Sequence, residues 1–201
     1  MKSNPNETAQ SKSKSLRAEA KAILDEGGLN TLLQTHGRVV IHGSYQLDLM
    51  VWRDLDIYLC SGAFQLREFF GLGARVAELL SAHRMHFRNE LAAPTNGLPR
   101  GLYWGIHLRD QPYGPWKIDI WAVDDDELAR LTEYQQNVAR RLTPDSRRTI
   151  LDIKFVLHSH REYRRGFGAK QIYDAVLGSG VRDVREFAAY LKKETGLQID
   201  T

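Results

Sequence analysis

Residues 39–59, VVIHGSYQLDLMVWRDLDIYL, contain the pattern that decides the fold. The apolar, β-branched run RVVIH (38–42) ends at Gly43, which predicts a short buried strand. Gly43 and Ser44 follow it directly, and a short helix is predicted after them. Residues 54–59, DLDIYL, alternate polar and apolar side chains, which is typical of a strand with one buried face. The stretch therefore predicts a strand, a tight turn, a short helix and a second strand in close succession.

Carboxylates on two predicted strands are the first candidates for chemistry. Asp54 and Asp56 stand two residues apart on one strand, so both side chains point to the same face. Two neighbouring carboxylates repel each other, and a cation between them offsets that cost. Their oxygen atoms suit Mg²⁺, which usually keeps water and substrate phosphates as further ligands. Asp119, between Ile118 and Ile120 on the strand KIDIW, predicts a third carboxylate at the same site.

Gly43 and Ser44 are predicted to lie where the first strand meets the short helix. Glycine lets the backbone approach a ligand closely, and the free N–H groups at a helix N-terminus attract phosphate. We therefore expect both residues to lie where a phosphate group can bind. Ser44 is also a good helix N-cap, and this structural role is compatible with phosphate binding.

The order of the predicted elements gives the fold class. Helices and strands alternate up to residue 123, and the chain is helical beyond it. Polar residues 1–14 are predicted to form a disordered tail. Residues 15–123 are predicted to form a mixed-sheet domain with flanking helices, and residues 124–201 a C-terminal helical bundle. The predicted class is α+β.

Composition excludes several classes of protein. The chain has 201 residues, a net charge of +3 and one cysteine, Cys60, so an internal disulfide is impossible and a cysteine-based zinc site is disfavoured. A reducing cytoplasm is the expected compartment. No apolar run approaches the ~20 residues that span a bilayer, so no membrane partner is expected.

Basic residues are concentrated between positions 140 and 170, where nine basic and three acidic residues give a net charge of +6. This segment fits either a polyanion-binding surface or a solvated helix face. A nucleic-acid partner stays open but is not favoured, because the whole chain is only weakly basic. Within the segment, Lys154 falls in the stripe of Ile150, Ile153 and Leu157. Its ammonium therefore either snorkels to solvent or reaches a bound anion.

Gly43-Ser44, a nine-residue spacer, Asp54-Leu55-Asp56-Ile57 and a later Asp119 together resemble the nucleotidyltransferase fold of the DNA polymerase β superfamily. The resemblance covers roughly residues 16–123. In its compact length the chain looks most like small bacterial enzymes such as the antibiotic nucleotidyltransferases.

The resemblance implies a metal-dependent transfer of a nucleoside monophosphate, with AMP from ATP as the expected case. Asp54, Asp56 and Asp119 would be the catalytic residues and the ligands of two Mg²⁺ ions, or of Mn²⁺ in their place. Gly43, Ser44 and Lys154 would bind the nucleotide. The acceptor would be a hydroxyl group, expected on a small molecule.

Two alternatives remain open from the sequence. The acceptor hydroxyl could belong to a protein or to an RNA end. A module with this fold could also act only by binding, as a nucleotide sensor or in a toxin–antitoxin pair. The presence of all three carboxylates favours catalysis.

Overall fold

The computed structural model describes residues 7–62, 65–110 and 114–200. Five strands form one mixed sheet in the order β1-β2-β5-β4-β3. The strands are β1 (Arg38–His42), β2 (Asp54–Cys60), β3 (Arg84–Asn89), β4 (Leu102–His107) and β5 (Lys117–Val123). β2 and β5 run parallel, and the other neighbouring pairs are antiparallel. The α+β class with a mixed sheet is confirmed.

Helices precede, interrupt and follow the sheet in the described part of the chain. They are α1 (Ala9–Leu24), α2 (Leu29–Gln34), α3 (Gly43–Leu47), α4 (Leu66–Leu80), α5 (Asp125–Arg141), α6 (Pro144–Leu157), α7 (Ala169–Ser179) and α8 (Val184–Thr195). None of the described helices is both long enough and apolar enough to cross a membrane.

One face of the sheet is apolar. Leu55, Ile57 and Ile118 are fully buried on it. The α4 helix packs here, with the rings of Phe69 and Trp104 6.1 Å apart and Trp104 Nε1 donating to the Phe69 carbonyl at 3.0 Å. Burial of this face supplies the hydrophobic stabilisation that holds α4 on the sheet.

The opposite face is apolar over one part of the strands and polar at the beginning of β2 and β5. Tyr58, Tyr103 and Trp121 lie in a buried cluster with Leu128 of α5. The same face carries charged side chains at the beginning of β2 and β5, where Asp54 pairs with Lys117. The division leaves a polar end of the sheet beside an apolar core.

The chain divides into two compact units. The sheet unit contains residues 16–48 and 53–135. The helical unit contains the chain before Leu16, residues 49–52 and residues 136–201. In the helical unit α6, α7 and α8 contact one another, with Ile153 and Phe187 fully buried. Thr143 caps α6 by accepting from the Ser146 N–H, as the sequence Thr-Pro-Asp predicts.

The predicted disordered tail is wrong for residues 9–14, which belong to α1. Ala9, Ser13 and Leu16 are buried at a spacing of four and three residues, so one stripe of this polar helix is covered. Tertiary burial therefore orders a segment whose composition alone indicates disorder. Residues 1–6 of that predicted tail lie outside the described residues.

The units also differ from the predicted domain boundary at residue 123. The sheet unit extends into α5, to residue 135. Residues 49–52 belong to the helical unit although they lie within the predicted sheet domain. Leu128 explains the extension, because it belongs to the buried aromatic cluster of the sheet. Gln135 adds a polar link, since its Oε1 accepts from the Gly43 N–H at 2.7 Å.

Candidate active site

Sheet register brings the three predicted carboxylates to one end of one face. On the parallel strands β2 and β5, Asp56 pairs with Asp119, and Asp54 pairs with Lys117. Residues in register on neighbouring strands point to the same face. Leu55 and Ile57 point the other way and are fully buried. The structure thus brings Asp54, Asp56 and Asp119 together.

Lys117 lies between two of these carboxylates and is missing from the sequence prediction. Its Nζ is 3.2 Å from Asp54 Oδ1 and 2.5 Å from Asp119 Oδ2. Burial lowers the pKa of Lys117, but the Asp54 and Asp119 carboxylates outweigh burial and raise that pKa above its ordinary value. Lys117 is therefore a protonated counter-ion. The sequence signal was its position two residues before Asp119, which places it on the same face.

Tyr103 is a second residue that the sequence did not reveal. Its hydroxyl donates to Asp119 Oδ1 at 2.8 Å from the antiparallel strand β4. Burial, followed by the Asp119 charge, raises the pKa of Tyr103. The phenol thus stays protonated and remains a donor. Predicting this contact requires the strand order and register, which local patterns do not contain.

Gly43 lies directly against the Asp56 carboxylate. Its φ is +65°, and a Cβ built on it would lie 2.1 Å from Asp56 Oδ2. Glycine is therefore needed here both for its backbone conformation and for the close approach of the carboxylate. Ser44 follows as the second residue of α3. The N–H of Gly43, which we expected to face phosphate, donates to Gln135 in this structure.

Two histidines extend the polar face onto β3 and β4. A Cβ built on Gly105 would lie 2.1 Å from His86 Cε1, so the missing side chain is what admits this imidazole beside Tyr103. The rings of His86 and His107 stack at 5.6 Å. Gly105 pairs with Asp119 in register, so the imidazole of His86 lies over the strand position next to that carboxylate.

Lys154 belongs to the helical unit and is fully buried. Its Nζ donates to the Leu49 carbonyl at 2.5 Å and to the Tyr173 hydroxyl at 3.3 Å, and it lies 5.1 Å from the centre of the Trp52 ring. These contacts connect α6 to residues 49–52 and give Lys154 a structural role. They differ from the solvent-facing or phosphate-facing position that the sequence suggested, and nucleotide binding by Lys154 stays a prediction.

The donor chemistry fits a hard divalent cation. Carboxylate oxygens of Asp54 and Asp56 project from one strand face, and oxygen ligands are those that Mg²⁺ prefers. An ammonium already lies against Asp54 and Asp119, which shows that this cluster stabilises positive charge. Within the described ranges, no three His, Cys, Asp or Glu side chains converge closely enough to form a complete metal-ligand group. Metal binding therefore stays a prediction supported by ligand type.

Comparison of the sequence with models of known families and with curated proteins gives no match. Solved structures do match. A cytoplasmic RNA terminal U-transferase has a TM-score of 0.52 and 14% identity, over 80% of this chain and 47% of that chain. The poly(U) polymerase Cid1 bound to MgGTP has a TM-score of 0.45 and 16% identity, over 72% of this chain and 43% of that chain.

CdnC of E. coli MS115-1, solved with ATP, has a TM-score of 0.46 and 15% identity, over 90% of this chain and 65% of that chain. The chain spans about half the length of the RNA terminal U-transferase that it matches. The resemblance to antibiotic nucleotidyltransferases, which the compact length suggested, stays a prediction. At these identities the likeness concerns the fold alone, and the chain shares over 80% of its length the fold of the RNA terminal U-transferase.

Proposed function

We propose that the protein transfers a nucleoside monophosphate, AMP from ATP, to a hydroxyl group of a small acceptor and releases pyrophosphate. The observation that carries this proposal is the register of β2 and β5, which sets Asp56 beside Asp119 with Asp54 on the same face. Carboxylates so placed can stabilise cations on a triphosphate. The fold likeness to an RNA terminal U-transferase supports the same reaction class.

Each residue has a distinct role in this proposal. Asp54 and Asp56 hold Mg²⁺, which, when bound, neutralises phosphate charge and polarises the reacting oxygens. Gly43, which lies against Asp56, and Ser44, which follows it, bind the phosphates of the donor. Asp119 orients the acceptor hydroxyl and takes its proton. Tyr103 keeps Asp119 in place through its 2.8 Å hydrogen bond.

The reaction balances as a single displacement. The acceptor oxygen forms a bond to the α-phosphorus, and the bond from that phosphorus to the bridging oxygen of the β-phosphate breaks. Pyrophosphate leaves with the bonding electrons, and the hydroxyl proton passes to Asp119. Catalysis of such transfers rests mainly on positioning and charge stabilisation.

Labelled ATP and magnesium test the proposal directly. Wild-type protein is expected to release pyrophosphate and to label an acceptor from a panel of hydroxylated small molecules. Asp56→Asn should lower the rate by at least about 100-fold, because loss of an outer-shell partner of a metal site already costs 10–100-fold. Glu194→Gln, on the exposed surface of α8, is the matched control and should keep full activity.

The panel also contains an RNA 3′ end and an acceptor protein. Labelling of either would replace the small-molecule acceptor and keep the reaction. Binding of ATP without transfer to any acceptor would support the non-catalytic module instead. Absence of ATP binding with magnesium, measured as no shift in thermal unfolding, would contradict the proposal.

We also propose a cytoplasmic location. The support is the single cysteine of the sequence, Cys60, which is buried as a free thiol. A buried thiol needs no oxidising compartment. Fractionation of cells that express the full chain tests this location.

A further inference from the structure

Lys117 has the position of a cation within the carboxylate cluster. It is the first residue of β5 and pairs in register with Asp54, the first residue of β2. Its Nζ contacts Asp54 Oδ1 and Asp119 Oδ2, at 3.2 and 2.5 Å. All three side chains are largely covered, with exposures of 28% for Lys117, 17% for Asp54 and 14% for Asp119.

We propose that Lys117 takes the place of one of the two divalent ions expected from the sequence, so that the site binds a single ion at Asp54 and Asp56. The proposal rests on the proposed function and refines it. It assigns Asp119 to the positioning of Lys117 and of the acceptor, and removes Asp119 from the metal ligands.

The hydrogen bonds of Asp119 support this assignment. Its Oδ1 accepts from the Tyr103 hydroxyl, and its Oδ2 accepts from Lys117. Both oxygens therefore have a donor from the chain itself. A divalent ion at Asp119 would have to displace one of these donors, and charge-assisted hydrogen bonds of this kind are among the stronger ones.

Charge leads to the same conclusion. Three carboxylates and one ammonium leave a net charge of −2, which one divalent ion neutralises. An ion between Asp54 and Asp119 would lie beside the Lys117 ammonium, and like charges at close range in a covered site repel strongly. Lys117 contacts Asp54 through Oδ1 only, so we place the ion at Asp54 Oδ2 and the Asp56 carboxylate, where it leaves both contacts of Lys117 in place.

Stoichiometry of Mn²⁺ tests the proposal without measuring activity. Full-length protein is titrated with Mn²⁺ alone and with α,β-methylene-ATP, and bound ions are counted by electron paramagnetic resonance. Wild type and Lys117→Arg are expected to bind one ion per chain. Lys117→Met is expected to bind a second ion, because the competing charge is gone.

Two aspartate variants distinguish the ligands. Asp119→Asn is expected to keep one ion with less than a threefold change in affinity, whereas Asp54→Asn weakens binding at least tenfold. Circular dichroism confirms that each variant is folded. If Lys117→Met does not fold, the Mn²⁺ stoichiometry of Lys117→Arg and the Mn²⁺ affinity of Asp119→Asn test the proposal.

The outcomes separate this proposal from the proposed function. Two ions on wild type, or a tenfold loss of affinity in Asp119→Asn, would overturn the role of Lys117 and leave nucleotidyl transfer intact. A single ion on folded Lys117→Met would overturn it as well. No bound ion on wild type, with or without the nucleotide analogue, would overturn both.

Discussion

Among single residues, Gly43 controls the geometry of the site most directly. Its φ of +65° costs an alanine about 1–2 kcal/mol. The added Cβ would also lie 2.1 Å from Asp56 Oδ2, so the carboxylate must move. A glycine in this position therefore combines a backbone requirement with a requirement for space at a candidate ligand.

We expect Gly43→Ala to lose stability and to disrupt the position of Asp56. Gly196→Ala is the matched control, because Gly196 has a φ of +74° and no atom within 4 Å of its Cβ position. Both variants should lose about 1–2 kcal/mol in urea unfolding. Only Gly43→Ala should also weaken Mn²⁺ binding and abolish nucleotidyl transfer. Equal Mn²⁺ affinity in the two variants would show that Asp56 tolerates the methyl group.

Tyr103 leads to a second prediction at this scale. Tyr103→Phe removes the donor to Asp119 Oδ1 and leaves the ring packed in its cluster. We expect a loss of stability of about 1 kcal/mol, the usual net value of one hydrogen bond. Nucleotidyl transfer should fall about tenfold, which corresponds to about 1.4 kcal/mol of activation free energy, because a misplaced Asp119 no longer orients the acceptor. Tyr190→Phe on α8 is the control, and equal rates in both variants would remove Tyr103 from the site.

At the scale of the elements, two glycines of α4 differ in whether they face the sheet. A Cβ on Gly73 would lie 2.6 Å from the Trp104 ring, whereas a Cβ on Gly71 meets no atom within 4 Å. Gly73 therefore permits the close contact that places α4 on the apolar face. Gly71 adds only conformational freedom to the unfolded chain.

We expect the two alanine variants to change stability in opposite directions. Gly71→Ala should stabilise the protein by about 0.5–1 kcal/mol, the helix-interior difference between glycine and alanine. Gly73→Ala should destabilise it by about 1–3 kcal/mol, as overpacking of a core does. Urea denaturation followed by tryptophan fluorescence measures both. Equal effects would mean that Trp104 moves aside without cost.

Much of the secondary structure could be predicted from the sequence. The strand predicted over 38–42 matches β1 in its bounds, and the strand predicted over 54–59 is β2 without Cys60. The predicted burial of residues 38–42 is wrong, because β1 is an edge strand whose residues are exposed or half-buried. These elements have strong local signals, namely β-branched runs and strict alternation. The start of α1 was missed because only its burial in the folded protein explains it. Lys117 and Tyr103 were missed because their partners are brought close by sheet register, which pairs residues distant in the chain.

At the scale of the whole molecule, neither compact unit is a continuous segment. Residues 49–52 interrupt the sheet unit and belong to the helical unit, together with the end of the chain. Leu49, Met50 and Val51 are almost fully buried. Within the helical unit, the Leu49 carbonyl accepts from Lys154. A short apolar segment therefore belongs to the same compact unit as residues more than 80 positions later in the chain.

This organisation predicts that the sheet unit does not fold by itself. A fragment of residues 1–135 lacks α6, with Lys154, and the Arg164 guanidinium, which lies 4.7 Å from the Trp52 ring. Residues 49–52 would then expose their apolar side chains, and at ~25 cal/mol per Å² this loss is large compared with the marginal stability of a domain. We expect the fragment to aggregate or to show no cooperative thermal unfolding, while the full chain unfolds cooperatively. Replacing Leu49, Met50 and Val51 by serine in the same fragment should improve its solubility, because the exposed apolar segment is removed. Cooperative unfolding of the unmodified fragment, measured by circular dichroism, would show instead that residues 53–135 and 16–48 suffice for a stable core.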